Sequence, residues 1–240
     1  LVYDPFLDKD AARKAGVTPV ALDDLFPQSD VISLHVPYNR GGRHSTDHLI
    51  DTAFLTTLSS QQLLINACRG EVIDEPALLS RLQSGNAPSV VLDVFQNEPD
   101  INTGLLPYLW FATPHIAGHS IEGKVRGTQM IYEQICRMSG QTAALSLDDF
   151  VSAPPPVSGD AYLTGADDTQ SALRNLIFSV YDISEDDRQF RQRMAESNQF
   201  AAMRKAYGVR RECGSYDVQL LRPVPAHLTN ALQSLGFTVT

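Results

Sequence analysis

Short, unbroken apolar runs alternate with stretches of helical character through the first half of the chain, and this alternation limits the possible folds more than any other feature. Leu1–Tyr3, Val31–Val36, Leu63–Asn66 and Ser89–Val94 are runs of strand length, with a shorter one at Trp110–Ala112. Lys9–Ala15, Thr52–Leu58, Glu75–Gln83 and Glu122–Met138 lie between or after them and carry helical patterns. Strand–helix–strand units of this spacing pack as crossovers, so the pattern predicts an α/β fold, a doubly wound parallel sheet with helices on both faces. The runs show no apolar–polar alternation, as expected of strands buried on both sides. Boundary residues agree: Asp74 before Glu75-Pro76 reads as an N-cap with proline in the first turn, and Gly85-Asn86 closes the same helix.

A change of character near Phe150 divides the chain. Residues 1–150 are expected to form the first domain, which begins with a strand already under way and so lacks its first βα unit. The Pro-rich stretch 151–160, with Pro154-Pro155-Pro156 at its centre, reads as a stiff linker. Residues 161–240 read as a small α+β module: helices at Thr169–Asp182, within Asp186–Tyr207 and at Ala226–Leu235, and strands at Tyr216–Leu221 and Phe237–Thr240. This module holds no constellation of reactive side chains, and its expected task is packing against something else. The net charge of −9 argues against a nucleic-acid partner, because neutralising phosphates needs clustered Lys and Arg. No apolar run approaches the roughly 20 residues that a membrane-spanning helix needs. Cys68, Cys136 and Cys213 are scattered, which fits a reducing, cytoplasmic setting and offers no metal-site spacing.

Four segments put polar residues at strand ends, the edge of a parallel sheet where ligands bind. Asp4, after Leu1–Tyr3, is placed to accept hydrogen bonds from the adenosine ribose hydroxyls of a dinucleotide. Pro5, Phe6 and Leu7 supply no cation for a 2′-phosphate, which favours NAD over NADP. A strand-ending Asp also reads as a turn former, and the Gly-rich phosphate loop is expected before residue 1. Arg69 follows Leu64–Cys68 and offers a guanidinium suited to a bidentate grip on a carboxylate. Its neighbour Cys68 reads mainly as a small residue filling a strand end. Asp93 ends Val90–Leu92, Glu98 follows in a loop held by Pro99, and Thr113-Pro114-His115 delivers a histidine. Each residue alone has an ordinary structural reading. Together they answer the demands of hydride removal from an alcohol carbon. His115 can take the hydroxyl proton, Glu98 can stabilise the resulting imidazolium, and Arg69 can anchor a substrate carboxylate.

The ordered set Asn66-Ala67-Cys68-Arg69-Gly70, Leu92-Asp93-Val94-Phe95 through Glu98-Pro99, and Thr113-Pro114-His115-Ile116-Ala117-Gly118 resembles the D-isomer-specific 2-hydroxyacid dehydrogenases. The resemblance extends over about residues 1–140. It implies a Rossmann-type domain that binds NAD through Asp4, Val36, Pro37, Ala67, Cys68, Arg69, Asp93 and Gly118, with Arg69, Glu98 and His115 as a catalytic triad. The Asn66–Gly70 stretch, Ile121–Thr128 and the Pro-rich link into an extra module are similar to a branch that oxidises a small phosphorylated 2-hydroxy acid and dimerises through its C-terminal module. In that branch His119, standing where a Tyr is usual, is implied as a substrate contact beside Arg69, and Val36 stands in place of a Thr near the cofactor. The expectation is a cytoplasmic, homodimeric enzyme with no metal, membrane or nucleic-acid partner. Two alternatives are other family members, such as a phosphoglycerate dehydrogenase or hydroxypyruvate reductase, and a non-catalytic NAD-sensing module. The first would be expected to carry a different C-terminal module or none. The second would have no need of all three of Arg69, Glu98 and His115.

Overall fold

The computed structural model describes residues 1–163 and 168–240. In chain order the strands are β1 (Val31–Leu34), β2 (Leu63–Asn66), β3 (Ser89–Leu92), β4 (Phe111–Ala112), β5 (Val157–Ser158), β6 (Asp217–Gln219) and β7 (Thr238–Val239). The α-helices are α1 (Lys9–Ala15), α2 (Leu22–Leu25), α3 (Thr52–Thr57), α4 (Glu75–Gln83), α5 (Ile121–Met138), α6 (Asp160–Leu163), α7 (Thr169–Val180), α8 (Ile183–Glu196), α9 (Phe200–Lys205) and α10 (Ala226–Ser234). Contacts divide the described chain into two compact units. Leu1–Ile116 and Asp186–Lys205 make the first, and Ala117–Glu185 and Ala206–Thr240 the second.

The first unit is built on a parallel sheet of order β1-β2-β3-β4. Its register sets Leu34 beside Asn66, Asn66 beside Leu92 and Leu92 beside Ala112, so all four carboxyl ends fall in one row. The helices start and stop where the local chemistry says they should. Asp8 caps α1 by accepting the Asp10 and Ala11 N–H groups, and Gly16, at φ 68°, ends it in the left-handed region. Asp74 accepts the Ala77 N–H at 3.0 Å, with Pro76 in the first turn of α4.

Two expectations about this sheet are corrected. Leu1–Tyr3 forms an isolated parallel bridge, Val2 to Pro19, and not a full strand. Asp4 ends it, because its Oδ1 and carbonyl accept the Phe6 and Leu7 N–H groups and turn the chain away. Burial on both faces also fails in β1: Ile32 and Leu34 are buried, whereas Val31 and Ser33 are exposed.

In the second unit, β5, β6 and β7 form a parallel sheet over a core of Leu163, Ala172, Leu176, Val218, Leu228, Leu232 and Phe237. Ser120 caps α5 by accepting the Gly123 N–H at 2.9 Å. Glu122 is buried and takes a hydrogen bond from Arg211 Nε and another, at 3.0 Å, from the Glu212 N–H. Burial raises its carboxyl pKa, but these donors outweigh that and hold it below the usual carboxylate range.

Contacts therefore divide the chain differently from the expected domains 1–150 and 161–240. The Pro-rich stretch does not separate two bodies: it leads into β5, the Ser152 carbonyl accepts Arg211 Nη1 at 2.9 Å, and the Gly159 N–H bonds the Gln219 carbonyl. Residues 186–205, expected in the second module, belong to the first unit. The cause is the apolar face of α8 and α9. Phe190 and Phe200 are fully buried around Phe95, with ring centroids 5.9 and 6.1 Å from it. Polar contacts finish the seam: Asp187 accepts the Ala112 N–H at 2.7 Å, and Arg191 donates to the Leu106 and Leu109 carbonyls. Phe190→Ala is expected to cost about 3–5 kcal/mol, the usual range for emptying a fully buried aromatic site, measured by denaturant unfolding of the full-length protein. A loss below about 1 kcal/mol would show that α8 contributes little to this core.

Candidate active site

The shared register delivers the loops after the four strands to one edge: residues 35–37 after β1, 67–70 after β2, 93–98 after β3 and 113–116 after β4. At its centre Glu98 and His115 pair directly, with Glu98 Oε2 2.7 Å from His115 Nδ1 and both side chains about one-fifth exposed. The other oxygen, Glu98 Oε1, accepts the Phe95 N–H at 2.9 Å, so one carboxylate grips both the ring and its own loop. His115 sits at φ 57°, a left-handed conformation that His tolerates better than most residues. Its N–H donates to the Asp93 carbonyl at 2.7 Å. Asp93 Oδ1 accepts the Thr113 hydroxyl at 2.6 Å and the Ile116 N–H at 2.7 Å. Asp93 is buried, and through these bonds it shapes the turn that carries His115.

Arg69 is exposed, and its Nη1 donates to the Cys68 carbonyl at 2.5 Å. The loop beneath it is held by Asn66, a fully buried residue that was legible only as part of a motif. Asn66 Nδ2 donates to the Arg69 carbonyl at 2.9 Å, while its Oδ1 accepts the Cys68 N–H at 3.1 Å. A buried amide must find such partners, and here they fold the four residues 66–69 into a closed turn. Burial pushes the Cys68 thiol up, and the nearby Arg69 charge lowers it by less. Gly70 then packs backbone to backbone on the next loop: a β-carbon there would stand 2.0 Å from the Phe95 carbonyl carbon. Only glycine permits that approach.

Val36 is half-buried, and Pro37 and Ala67 are exposed, leaving a low shelf along the edge between β1 and β2. Asp4 is exposed in its own turn, and the adjacent Phe6 ring meets His44, from the loop after β1, at 5.2 Å. A carboxylate for ribose hydroxyls, small residues over the strand ends and no cation at Pro5–Leu7 together fit NAD. Gly118 and His119 belong to the second unit, where the His119 ring lies 6.2 Å from that of Tyr207. Among the described residues no group of three or more His, Cys, Asp or Glu side chains gathers as a metal site, and no helix is long and apolar enough to cross a membrane.

Beside Asn66 and Gly70, sequence reasoning missed Glu75, which it treated only as the start of α4. Glu75 is 4% exposed, and its Oε1 accepts the Gln96 N–H at 2.6 Å. Burial pushes its pKa up to about 7, opposed by that hydrogen bond and assisted by Glu71 and Glu98. A polar residue forced inward by an otherwise apolar helix face was the available signal: Glu75, Leu78 and Leu82 are the buried positions of α4.

Residues 1–117 match the family model described as "D-isomer specific 2-hydroxyacid dehydrogenase, NAD binding domain". The fold and this match agree: the first part of the chain has a Rossmann-type parallel sheet similar to the NAD-binding domain of that family, and the match supports NAD as the cofactor. Residues 154–236 match a second model, a domain of unknown function (DUF3410). The particular proteins that the chain resembles are erythronate-4-phosphate dehydrogenases. That of Pseudoalteromonas atlantica is 47% identical over 207 residues, covering 85% of this chain and 54% of the relative. That of Tolumonas auensis is 42% identical over 213 residues, covering 89% and 55%. The chain thus spans about half the length of the curated relatives it matches. Among solved structures, the apo form of Rhodotorula graminis D-mandelate dehydrogenase superposes with a TM-score of 0.50 at 32% identity, covering 58% of this chain and 41% of that one.

Two outcomes follow from the geometry. Asn66→Ala leaves the Cys68 N–H and the Arg69 carbonyl without their partner, which is expected to cost about 1–3 kcal/mol; thermal and denaturant unfolding measure it, and an unchanged midpoint would contradict the role of Asn66 in closing the turn. Glu75 gives a pH signature. Its folded pKa, about 7, is raised above the ordinary 4.5, so its contribution to stability is fully present below pH 4.5 and is lost as the pH rises through 7. Glu75→Gln should therefore flatten the fall in melting temperature between pH 5 and pH 8, and an unaltered fall would rule Glu75 out as its source.

Proposed function

We propose that this chain is the catalytic and C-terminal part of an NAD-dependent dehydrogenase that oxidises 4-phospho-D-erythronate to 3-hydroxy-2-oxo-4-phosphooxybutanoate, on the route to pyridoxal phosphate. The observation that carries the reading is the 2.7 Å Glu98–His115 pair on the sheet edge that also bears Arg69. With Nδ1 turned to Glu98, Nε2 is the ring nitrogen available to take the substrate hydroxyl proton. Glu98 stabilises the imidazolium so formed, as a carboxylate beside a histidine does. Arg69 binds the substrate carboxylate in a bidentate grip and polarises the oxygen that becomes the carbonyl. NAD, when bound, accepts the hydride from the same carbon. Asp4 holds the adenosine ribose, and Val36, Pro37, Ala67, Cys68 and Asp93 line the rest of the cofactor. The names of the relatives and the retained Arg–Glu–His set favour this substrate over other 2-hydroxy acids and speak against a purely NAD-sensing module. The C-terminal module serves dimerisation, and the protein works in the cytoplasm as a homodimer.

The full-length protein, supplied with NAD and 4-phosphoerythronate, should generate NADH absorbance far faster than with 3-phosphoglycerate or D-lactate. Turnover of another 2-hydroxy acid with none of 4-phosphoerythronate would overturn the substrate. His115→Ala should abolish turnover while sparing NADH binding. Arg69→Lys should raise KM and lower kcat/KM, since an ammonium cannot reproduce the fork. Light scattering on the full-length protein should give the mass of a dimer; a monomer would refute the role of the C-terminal module.

A further inference from the structure

The buried carboxyl group of Glu75 takes no part in the chemistry just described, yet it is hydrogen-bonded to the loop that carries Glu98. Glu75 opens α4, is 4% exposed, and reaches from below to accept the Gln96 N–H at 2.6 Å. The preceding N–H, of Phe95, is accepted by Glu98 Oε1 at 2.9 Å. Two consecutive peptide N–H groups of one loop are therefore held by two different carboxylates, one fixed to a helix start and the other paired with His115. Gly70 seals the same loop from the β2 side, its α-carbon packed on the Phe95–Gln96 backbone. Removing the Glu75 acceptor frees the Gln96 N–H in a dry setting, where it has to seek another partner and drag the loop with it.

We propose that Glu75 is a positioning residue for proton transfer: by anchoring the Gln96 peptide it fixes the loop 95–98 so that Glu98 meets His115 Nδ1. This rests on the reading of Glu98 and His115 as the proton-transfer pair. The raised pKa of Glu75, set first by burial and assisted by Glu71 and Glu98, agrees with that placement. The titratable and charged groups around it are Glu71 and the helix-capping Asp74 on the adjoining turn, Glu98 on the facing loop, and His48, whose Nε2 lies 2.6 Å from Gln96 Nε2.

The test uses three variants of the full-length protein. Glu75→Ala removes the acceptor, Glu75→Met removes it while keeping the volume in case the alanine variant fails to fold, and Glu75→Gln keeps an acceptor oxygen. The Ala and Met variants are expected to lower kcat by about tenfold or more, as loss of alignment does, with the KM for NAD little changed, and the Gln variant to recover most of that loss. The second readout needs no substrate: the titration of the His115 ring followed by NMR. Loosening the Glu98 contact destabilises the imidazolium, so the midpoint should fall in the Met variant by a few tenths of a pH unit more than in the Gln variant, which loses only the charge. Equal midpoints in the Met and Gln variants would overturn the proposal, as would a kcat that the Gln variant fails to recover. A full-length protein inactive on 4-phosphoerythronate would sink the substrate assignment and leave the NMR comparison intact.

Discussion

The structure of the first unit depends on the parallel register of four short strands. Because Leu34, Asn66, Leu92 and Ala112 lie side by side, every following loop starts from the same line. Parallel pairing fixes this without any side-chain contact among the loops. A shift of one residue in β2 would turn Asn66 out of the interior and exchange it for its apolar neighbour. The turn that presents Arg69 would then lose its internal partner, and Gly70 would no longer meet the Phe95 backbone. The geometry of the candidate site is thus a by-product of strand pairing, refined by a handful of buried polar groups.

Those polar groups share a logic. Asn66, Asp93, Glu98 and Glu75 each use side-chain oxygens to satisfy backbone N–H groups that the loops leave unpaired. Loops at the end of a buried sheet cannot rely on water for this task, so the sequence supplies acceptors. The proposed proton-transfer pair draws on the same set, since Glu98 serves the loop with one oxygen and the histidine with the other. Rigidity and reactivity therefore draw on one carboxylate.

Much of this was legible before the coordinates. Strand-length apolar runs located β1 to β4, a helical pattern located α1, and cap residues located the start of α4, because the signals are local. The convergence of Glu98 and His115 followed from both standing just past strand ends. What escaped was non-local. Nothing in the spacing of Phe190, Met194 and Phe200 says which core they enter, only that a helix face is apolar; an aromatic pocket around Phe95 decides it. The Pro-rich stretch is ambiguous for a related reason: three prolines enforce extension, and an extended segment serves equally as linker or as approach to an edge strand. Glu75 escaped because an acidic residue in the first helical turn is usual, and only the closeness of Gln96 gives it another task.

The late segment in the first unit has a consequence for how the protein comes into being. The aromatic partners of Phe95 and the arginine that closes the Leu106 and Leu109 carbonyls stand in the second half of the sequence. A ribosome that has delivered every strand of the sheet, and all of Arg69, Glu98 and His115, has not yet delivered the residues that finish their core. During that interval Phe95 lacks its aromatic partners, and the closure is a long-range event of the kind that folds slowly. A chain that stopped before Asp186 would thus carry Arg69, Glu98 and His115 and lack Phe190 and Phe200, the aromatic partners of Phe95.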